Sequence, residues 1–228
     1  MTIPECQAEV LAGLKSENHP SAGWYETRYA PAEQGYWAPL VHWADSLLLS
    51  IDSVLDVGAA YGTLIVYVVS RFEPKRRVIV DAYRNLSKSI AERYHLDYLD
   101  IDVERDDLPG GKFDLVLFTE VLEHLNFSPI PTLRKIRDAL SDSGVLMLTT
   151  PDAQSWGRRY VHYDSWEEMP IASRESPPRI DGHIWHYSEE ELAKIFELSG
   201  LSVLKFERST SVGGKHLCYL LTRKPEAQ

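Results

Sequence analysis

The chain has 228 residues, 44% of them hydrophobic, which is enough to build the core of one domain or of one domain with an added cap. Its 24 Lys and Arg against 34 Asp and Glu give a formal net charge of −10, which disfavours nucleic acid as a partner through long-range repulsion. The two cysteines, the absence of an apolar run near the ~20 residues that cross a bilayer and an N-terminus unlike a secretory signal predict a cytoplasmic protein with no membrane partner.

Apolar residues recur at helical spacing in residues 36–50, which predicts a helix before a first strand in the run VLDVG. Helical and strand patterns then alternate. The predicted elements are a helix at 61–72, a strand at 76–82, a helix at 86–94, strands at 96–102 and 113–119, a helix at 133–141 and a strand at 144–150. Because the strands are apolar runs suited to burial on both faces, this order predicts an α/β fold with a doubly wound, mostly parallel sheet.

The C-terminal part returns to regular patterns. A helix is predicted at 188–200, where Ser188 and Glu191 form a capping box and Gly200 ends the helix. Two final strands joined at the Gly-Gly pair 213–214 predict an antiparallel pair at the edge of the sheet.

The segment 152–187, here called the lid, is aromatic and has little regular period. Connections of this length inside a compact domain are commonly functional lids or disordered, and the aromatic content argues against disorder. The predicted organisation is an N-terminal helical cap, residues 1–50, followed by one domain, residues 51–228, that contains the lid.

The stretch VLDVGAAYG, residues 54–62, runs from a buried strand into a loop that holds Gly58 and Gly62. Ligands of open α/β sheets lie beyond the carboxyl ends of the strands. Glycines allow close approach, and the amides at the start of the next helix face such a ligand. The stretch therefore predicts a nucleotide-like ligand, with a tight strand-to-helix turn as the alternative.

This stretch resembles motif I of the class I S-adenosylmethionine-dependent methyltransferases, from which Ala60 is the one departure. The resemblance continues in order through VIVDA, EVLEHL, LRKIRDALSDSGVLMLTTPD and HIWHYSEEELAKIFELSGL, and it covers about residues 54–201. It implies a seven-stranded Rossmann-like sheet with an antiparallel C-terminal edge strand, methyl transfer, and S-adenosyl-L-methionine as the cofactor.

The resemblance also implies which residues hold the cofactor. Asp81 would bind the ribose hydroxyls, with a helix N-cap as its alternative role, and Asp102 would lie at the adenine, with a solvated loop charge as the alternative. The full expected set, including two N-terminal tyrosines that would cover the cofactor, is Tyr25, Tyr29, Asp56, Gly58, Ala60, Tyr61, Gly62, Asp81, Ala82, Asp102, Val103, Thr119 and Glu120.

A second cluster lies in TEVLEHL, after the fourth strand. If this stretch is helical, Glu120, Glu123 and His124 share one face, and His183 could complete a set of ligands for Mg²⁺ or Mn²⁺. The set resembles the metal-dependent 2′-O-methyltransferases that modify the 3′ ends of small RNAs. EVLEHL also occurs in methyltransferases that use no metal, and a capping carboxylate beside a hydrogen-bonded histidine is the structural alternative.

Methyl transfer to an oxygen needs alignment of the acceptor and a base for its proton. Histidine suits this role because its pKa lies near neutrality. His124 and His183 are the predicted bases, with Glu120 beside them and His186 as a third choice. The remaining histidines are predicted to be surface or packing residues; they are His19, His42, His95, His162 and His216.

The lid carries side chains that suit a polar acceptor. Those that could stack on a sugar or planar ring are Trp156, Tyr160, Tyr163 and Trp166, and those that could bind phosphate or carboxylate are Arg158, Arg159, Arg174 and Arg179. The alternative is an aromatic mini-core with solvated arginines. The predicted function is methyl transfer to a hydroxyl, or as second choice an amine, of a small polar metabolite such as a sugar or natural-product intermediate. A small-RNA enzyme and a non-catalytic cofactor-binding scaffold are the alternatives, and the oligomeric state is left open.

Overall fold

The structure, a computed structural model, describes residues 1–47, 50–158 and 162–225. Its strands are β1 (Ser53–Val57), β2 (Arg76–Asp81), β3 (Asp97–Asp100), β4 (Phe113–Thr119), β5 (Leu140–Pro151), β6 (Leu201–Ser211) and β7 (Gly214–Arg223). They form one sheet in the order β3-β2-β1-β4-β5-β7-β6. Strands β1 to β5 are parallel, and β7 runs antiparallel to both β5 and β6. The predicted seven-stranded α/β fold is confirmed.

The helices are α1 (Ile3–Ser16), α2 (Ala22–Trp24), α3 (Ala30–Tyr36), α4 (Ala38–Ser46), α5 (Thr63–Phe72), α6 (Lys88–Arg93), α7 (Pro129–Ala139), α8 (Ala153–Trp156) and α9 (Glu189–Ser199). A π-helical turn occupies Tyr25–Tyr29, and 3₁₀ turns occupy Leu122–His124 and Trp166–Glu168. Among the described residues, no helix combines the length and apolarity needed to cross a membrane.

Strand β1 shows why the central strands are continuous apolar runs. Side chains alternate along a strand, so Val54 packs on one face of the sheet while Leu55 and Val57 pack on the other. The N-terminal helices and α5 cover the first face, and α7 and α9 cover the second. Both faces are buried, as the doubly wound prediction requires.

The C-terminal signals act as predicted. The Ser188 side chain accepts a hydrogen bond from the Glu191 amide, and the Glu191 carboxylate accepts one from the Ser188 amide. Helix α9 ends at Gly200, which adopts a left-handed φ of 71°. Strands β6 and β7 then form the antiparallel pair.

Strand β3 differs from the predicted strand that is buried on both faces. Tyr98 is partly buried, whereas Asp97, Leu99 and Asp100 are exposed. Strand β3 is the outermost strand on its side and pairs only with β2. An edge position needs less apolar surface, which explains the three carboxylates around this strand.

The helix considered for TEVLEHL does not form, so that interpretation is wrong. The Glu120 amide donates to the Thr149 carbonyl at 2.9 Å and thereby continues the β4 to β5 ladder by one residue. Glu120 then adopts a left-handed φ of 54°, and only Leu122–His124 make a helical turn. Glu120 therefore does not share a helix face with Glu123 and His124.

Part of the lid packs into the hydrophobic core. Trp166, Ile184 and Trp185 are at most 5% exposed and join the cluster on the face covered by α7 and α9. The backbone amides of Ile184 and Trp185 both donate to the Glu123 carbonyl. The division into a cap and a domain with a lid stays a prediction.

Candidate functional site

A cavity of about 440 Å³ lies at the carboxyl ends of β1, β2 and β4. This volume is in the range that holds a nucleotide-sized or drug-sized ligand. The predicted site residues that line it are Tyr29, Gly58, Ala60, Tyr61, Asp81, Ala82, Val103, Glu120 and His124. Lining residues that the sequence analysis did not single out for this cavity are Trp24, Val57, Val80, Tyr83, Asn85, Ile101, Val121, Arg179 and Asp181.

The loop after β1 contains two residues with a left-handed backbone conformation, Gly58 and Ala60. Gly58 has a φ of 80°, and a Cβ there would lie 2.4 Å from a Val121 methyl carbon. Glycine is therefore required by the conformation and by Val121. Ala60, which stands at the middle glycine of the motif, also has a left-handed φ, at 48°. Its position explains why glycine is usual there, because a Cβ is strained in this region.

Asp81 connects the first two strand ends. Its carboxylate accepts hydrogen bonds from the Ala60 amide at 3.1 Å and from the Tyr83 amide at 2.9 Å. The side chain thus shapes both loops and also lines the cavity. The N-cap alternative for Asp81 is not observed, because α6 begins at Lys88 with Ser87 as its N-cap.

Asp81, which lines the cavity, interacts electrostatically with Asp56, which lies behind it. Burial raises the pKa of Asp81, while its backbone hydrogen bonds oppose that rise. Burial raises the pKa of Asp56 well above its ordinary value, and the neighbouring Asp81 raises it further. A cationic ligand in the cavity would favour the ionised form of Asp81.

Three residues that were expected to contact the cofactor lie behind the cavity wall and do not line the cavity. Tyr25 is fully buried, and its hydroxyl lies 2.7 Å from the Thr63 hydroxyl. Asp56 is 3% exposed and does not line the cavity. Gly62 caps α5 with a φ of 87°, and the space beside it is filled by Leu86.

Two further expected cofactor residues also fail to line the cavity. Asp102 accepts a hydrogen bond from the Glu104 amide and forms an ion pair with Arg105. The side chains on either side of it, Ile101 and Val103, line the cavity instead. Thr119 is buried near the end of β4, one residue before the cavity wall begins.

Glu120 is the strained residue at the cavity edge. Its Oε2 lies 2.9 Å from Nδ1 of His216, and its Oε1 has no hydrogen-bond partner among the described residues. A non-glycine residue with positive φ costs about 1–2 kcal/mol, and such strain clusters at functional sites.

His216 is a packing residue, as the sequence analysis predicts, and it also lies beside Glu120, which the sequence analysis did not anticipate. It is 2% exposed, and its ring packs between Tyr36 and Trp156. The available signal was a histidine that opens the apolar run HLCYLL of a predicted buried strand.

Three of the four predicted metal ligands lie close enough together to bind one ion. Candidate ligand atoms of Glu123, His124 and His183 lie within 4.8 Å of one another, and Glu120 is not part of this group. Glu123 is 1% exposed; its Oε2 accepts from the Thr150 hydroxyl, and its Oε1 has no partner among residues 1–47, 50–158 and 162–225. One carboxylate and two imidazoles suit a divalent cation, so the group fits one.

The histidines form a connected group. Burial lowers the pKa of His124, and the nearby Asp181 opposes this effect, so the ring favours its neutral form. His183 contacts His124 edge to face, and its Nδ1 lies 2.8 Å from Nε2 of His186. Nδ1 of His186 lies 2.7 Å from the Gly157 carbonyl and must donate to it. Of these rings, only His124 lines the cavity.

The lid side chains predicted to hold the acceptor are mostly engaged elsewhere. Trp166 is core, the Tyr163 hydroxyl donates to the Asn126 carbonyl, and Arg158 pairs with Glu191. Trp156 contacts the histidine rings, Arg174 is exposed, and neither lines the cavity. Of the lid arginines predicted to bind phosphate or carboxylate, Arg179 lines the cavity. Arg159 and Tyr160 lie outside the described residues.

The chain matches a family model described as a methyltransferase domain over residues 27–205. No curated protein is significantly similar to it in sequence. The structure is similar to the Burkholderia thailandensis 1,6-didemethyltoxoflavin-N1-methyltransferase, solved with 1,6-didemethyltoxoflavin and S-adenosylhomocysteine. The TM-score is 0.65 and the identity 17%, over 96% of this chain and 90% of that one.

Two further solved structures show the range of the fold. The O-methyltransferase NcsB1 from neocarzinostatin biosynthesis, solved with S-adenosyl-L-homocysteine and 1,4-dihydroxy-2-naphthoic acid, has a TM-score of 0.57 and 16% identity over 92% of this chain and 60% of that one. The cyclase SpnF has a TM-score of 0.58 and 14% identity over 85% of this chain and 87% of that one. Identities this low establish a shared fold, and one fold can host different reactions.

Proposed function

This chain belongs to the methyltransferase domain family, and we propose that it transfers a methyl group from S-adenosyl-L-methionine to a hydroxyl, or as second choice an amine, of a small polar metabolite. The observation that carries the proposal is the cavity at the β1 and β2 loops, where the Asp81 carboxylate is oriented by two backbone amides. When bound there, the cofactor supplies a methyl group already activated by a sulfonium charge.

The proposed cofactor contacts follow the cavity from end to end. Asp81 would accept hydrogen bonds from the ribose hydroxyls, Ile101 and Val103 would enclose the adenine, and Tyr61 and Tyr29 would cover the methionine end. This set replaces Asp102 as the adenine neighbour with the apolar side chains on either side of it.

The acceptor would lie between Glu120 and His124. His124 would take the proton from the acceptor hydroxyl as its oxygen is methylated, and its lowered pKa keeps the ring neutral and able to do so. Glu120 would hold the acceptor through its Oε1, which has no hydrogen-bond partner among the residues that the structure describes. His183 would act through His124, because it packs behind that ring and does not line the cavity.

A small-molecule acceptor is supported by the cavity volume and by the acidic balance of the chain. The ligands of the two similar methyltransferases are also small and planar, 1,6-didemethyltoxoflavin in one and 1,4-dihydroxy-2-naphthoic acid in the other. RNA is disfavoured by the net charge of −10.

A metal-dependent methyltransferase, of the kind that modifies the 3′ ends of small RNAs, is the second candidate. It is favoured by Glu123, His124 and His183, whose ligand atoms lie together, and by the Oε1 of Glu123, which has no hydrogen-bond partner in the described part of the chain. These three residues would hold the cation, which would supply a positive charge beside the acceptor hydroxyl.

The test measures binding first and transfer second. Titration calorimetry with S-adenosylhomocysteine should show one site per chain, and radiolabelled S-adenosyl-L-methionine should then label a member of a hydroxylated metabolite panel. His124→Gln should lose that transfer while retaining S-adenosylhomocysteine affinity. Loss of transfer on adding a chelator, together with labelling of RNA ends, would favour the second candidate. Binding without transfer to any acceptor would favour the non-catalytic scaffold, and absence of binding would refute the proposal.

A further inference from the structure

One short segment of the lid forms part of the cavity wall. Residues 177–181, here called the strap, contain no helix or strand, and they begin with two consecutive prolines. Arg179 and Asp181 both line the cavity, while the Ile180 side chain between them is 48% exposed. This alternation is that of an extended chain, in which residues i and i+2 face the same side.

The strap lies near the part of the cavity wall that holds Asp81 and Tyr83 and near the part that holds His124. The Arg179 guanidinium lies 5.6 Å from the Tyr83 ring centroid. Its positive charge acts to lower the pKa of Asp81 and the pKa of His124. Asp181 acts electrostatically on His124. A ligand that fills the cavity would therefore touch the inner side of the strap.

Asn126 holds the backbone of the strap. Its Oδ1 accepts from the Ile180 amide at 2.8 Å, and its Nδ2 donates to the Ile180 carbonyl at 3.1 Å. The side chain thus pairs with both polar backbone groups of one residue, as a neighbouring strand would do. Buried or partly buried backbone groups in a segment without regular structure need such a partner.

Asn126 is itself firmly held. It is 6% exposed, its Nδ2 also donates to the His124 carbonyl at 3.0 Å, and its own carbonyl accepts from the Tyr163 hydroxyl at 2.8 Å. The side chain therefore links the strap to the loop that carries His124.

We propose that Asn126 is a positioning residue that keeps the strap closed, so that Arg179 and Asp181 contact the bound cofactor. This inference rests on the proposed function, because the probe ligand is S-adenosylhomocysteine. If loss of the two hydrogen bonds leaves the strap closed only about a tenth of the time, the apparent dissociation constant rises about tenfold.

Two variants remove the link from opposite sides. Asn126→Ala removes the side chain, and Ile180→Pro removes the amide that donates to Asn126 while replacing an exposed side chain. Ile180→Ala is the matched control, because it changes the same exposed side chain and keeps the amide. Calorimetry with S-adenosylhomocysteine should show about tenfold weaker binding for the first two and a change within twofold for the control.

A double-mutant cycle separates positioning from general loss of structure. If Asn126 acts through the strap, Arg179→Ala should weaken binding less in the Asn126→Ala background than in the unmodified protein. A purely structural role would lower the unfolding temperature and leave the two effects on affinity additive. Additive effects would overturn the inference.

A measurement on the unmodified protein remains available if the variants do not fold. Hydrogen exchange of the Ile180 amide should be slowed, and S-adenosylhomocysteine should slow it further. An amide that exchanges at the rate of an unstructured peptide would overturn the inference, as would wild-type affinity in both linked variants. If the unmodified protein binds no S-adenosylhomocysteine, the proposed function fails, which is a separate outcome.

Discussion

The cavity has two walls that are built in different ways. The wall formed by the β1 and β2 loops, here called the cofactor wall, depends on backbone conformation and on amides that donate to Asp81. The part of the wall that follows β4, here called the acceptor wall, depends on side chains that meet from distant parts of the chain, such as Glu120 and His216. The cofactor wall should tolerate changes that keep its backbone, whereas the acceptor wall should be sensitive to single side chains.

The largest expected effect is on the one side chain that the cofactor wall requires. Asp81→Ala removes the acceptor of two amides and the proposed ribose ligand. Hydrogen bonds to a charged group contribute about 1.5–3 kcal/mol each, so S-adenosylhomocysteine affinity should fall at least about 100-fold in calorimetry. Asp100→Ala is the control, because Asp100 occupies the paired position on the exposed edge strand. Equal affinities of the two variants would contradict the assignment of Asp81.

A buried carboxyl behind the cofactor wall should affect stability and leave binding unchanged. Glu33 is 1% exposed and accepts from Gln7 and Tyr25, and burial raises its pKa from 4.5 to about 7. A carboxyl with a raised pKa favours the fold below about pH 4.5, and this contribution is lost as the pH rises through 7.

Glu33→Gln removes that pH dependence. Its stability advantage over the unmodified protein should grow from pH 5 to pH 8 by up to about 3 kcal/mol in urea unfolding, because the shift spans about 2.5 pH units. S-adenosylhomocysteine affinity at a single pH should stay within twofold. A parallel pH dependence in both proteins would show that Glu33 does not carry the effect.

His216 tests the acceptor wall. His216→Phe keeps a buried ring and removes Nδ1, the atom that lies 2.9 Å from the partly buried Glu120 carboxylate; loss of a polar neighbour costs a charged group about 1–3 kcal/mol. The rate constant of methyl transfer should fall about 10- to 100-fold, while S-adenosylhomocysteine affinity changes less than threefold. His216→Asn, which can place a donor near the Nδ1 position, should restore part of the rate. A loss of affinity equal to the loss of rate would show that the acceptor wall and the cofactor wall do not act separately.

The smallest expected effect is at Ala60, within the backbone of the cofactor wall. Ala60→Gly removes the strain of a left-handed alanine and should raise the free energy of unfolding by about 1 kcal/mol. Its amide still donates to Asp81, so affinity should be unchanged. Ala59→Gly, at the adjacent position without a positive φ, should instead destabilise the fold by about 0.5–1 kcal/mol. The same sign for both variants would remove strain as the explanation.

Much of the fold was predictable because its signals are local. The capping box at Ser188, the stop at Gly200 and the apolar runs of β1, β4 and β5 each involve residues within one turn or one strand. Local patterns misjudged β3 and TEVLEHL, where edge position and continuation of the ladder by Glu120 decided the outcome.

By itself, the sequence determined the succession of strands and helices along the chain and the glycine loop of the cofactor wall. The first depends on hydrophobic period and the second on residues with unusual φ. Only the tertiary structure decided that His216 lies beside Glu120 and that Asn126 holds Ile180. The reason is physical: a contact between residues far apart in the chain has no sequence period, and it exists only after the sheet has brought the two residues together.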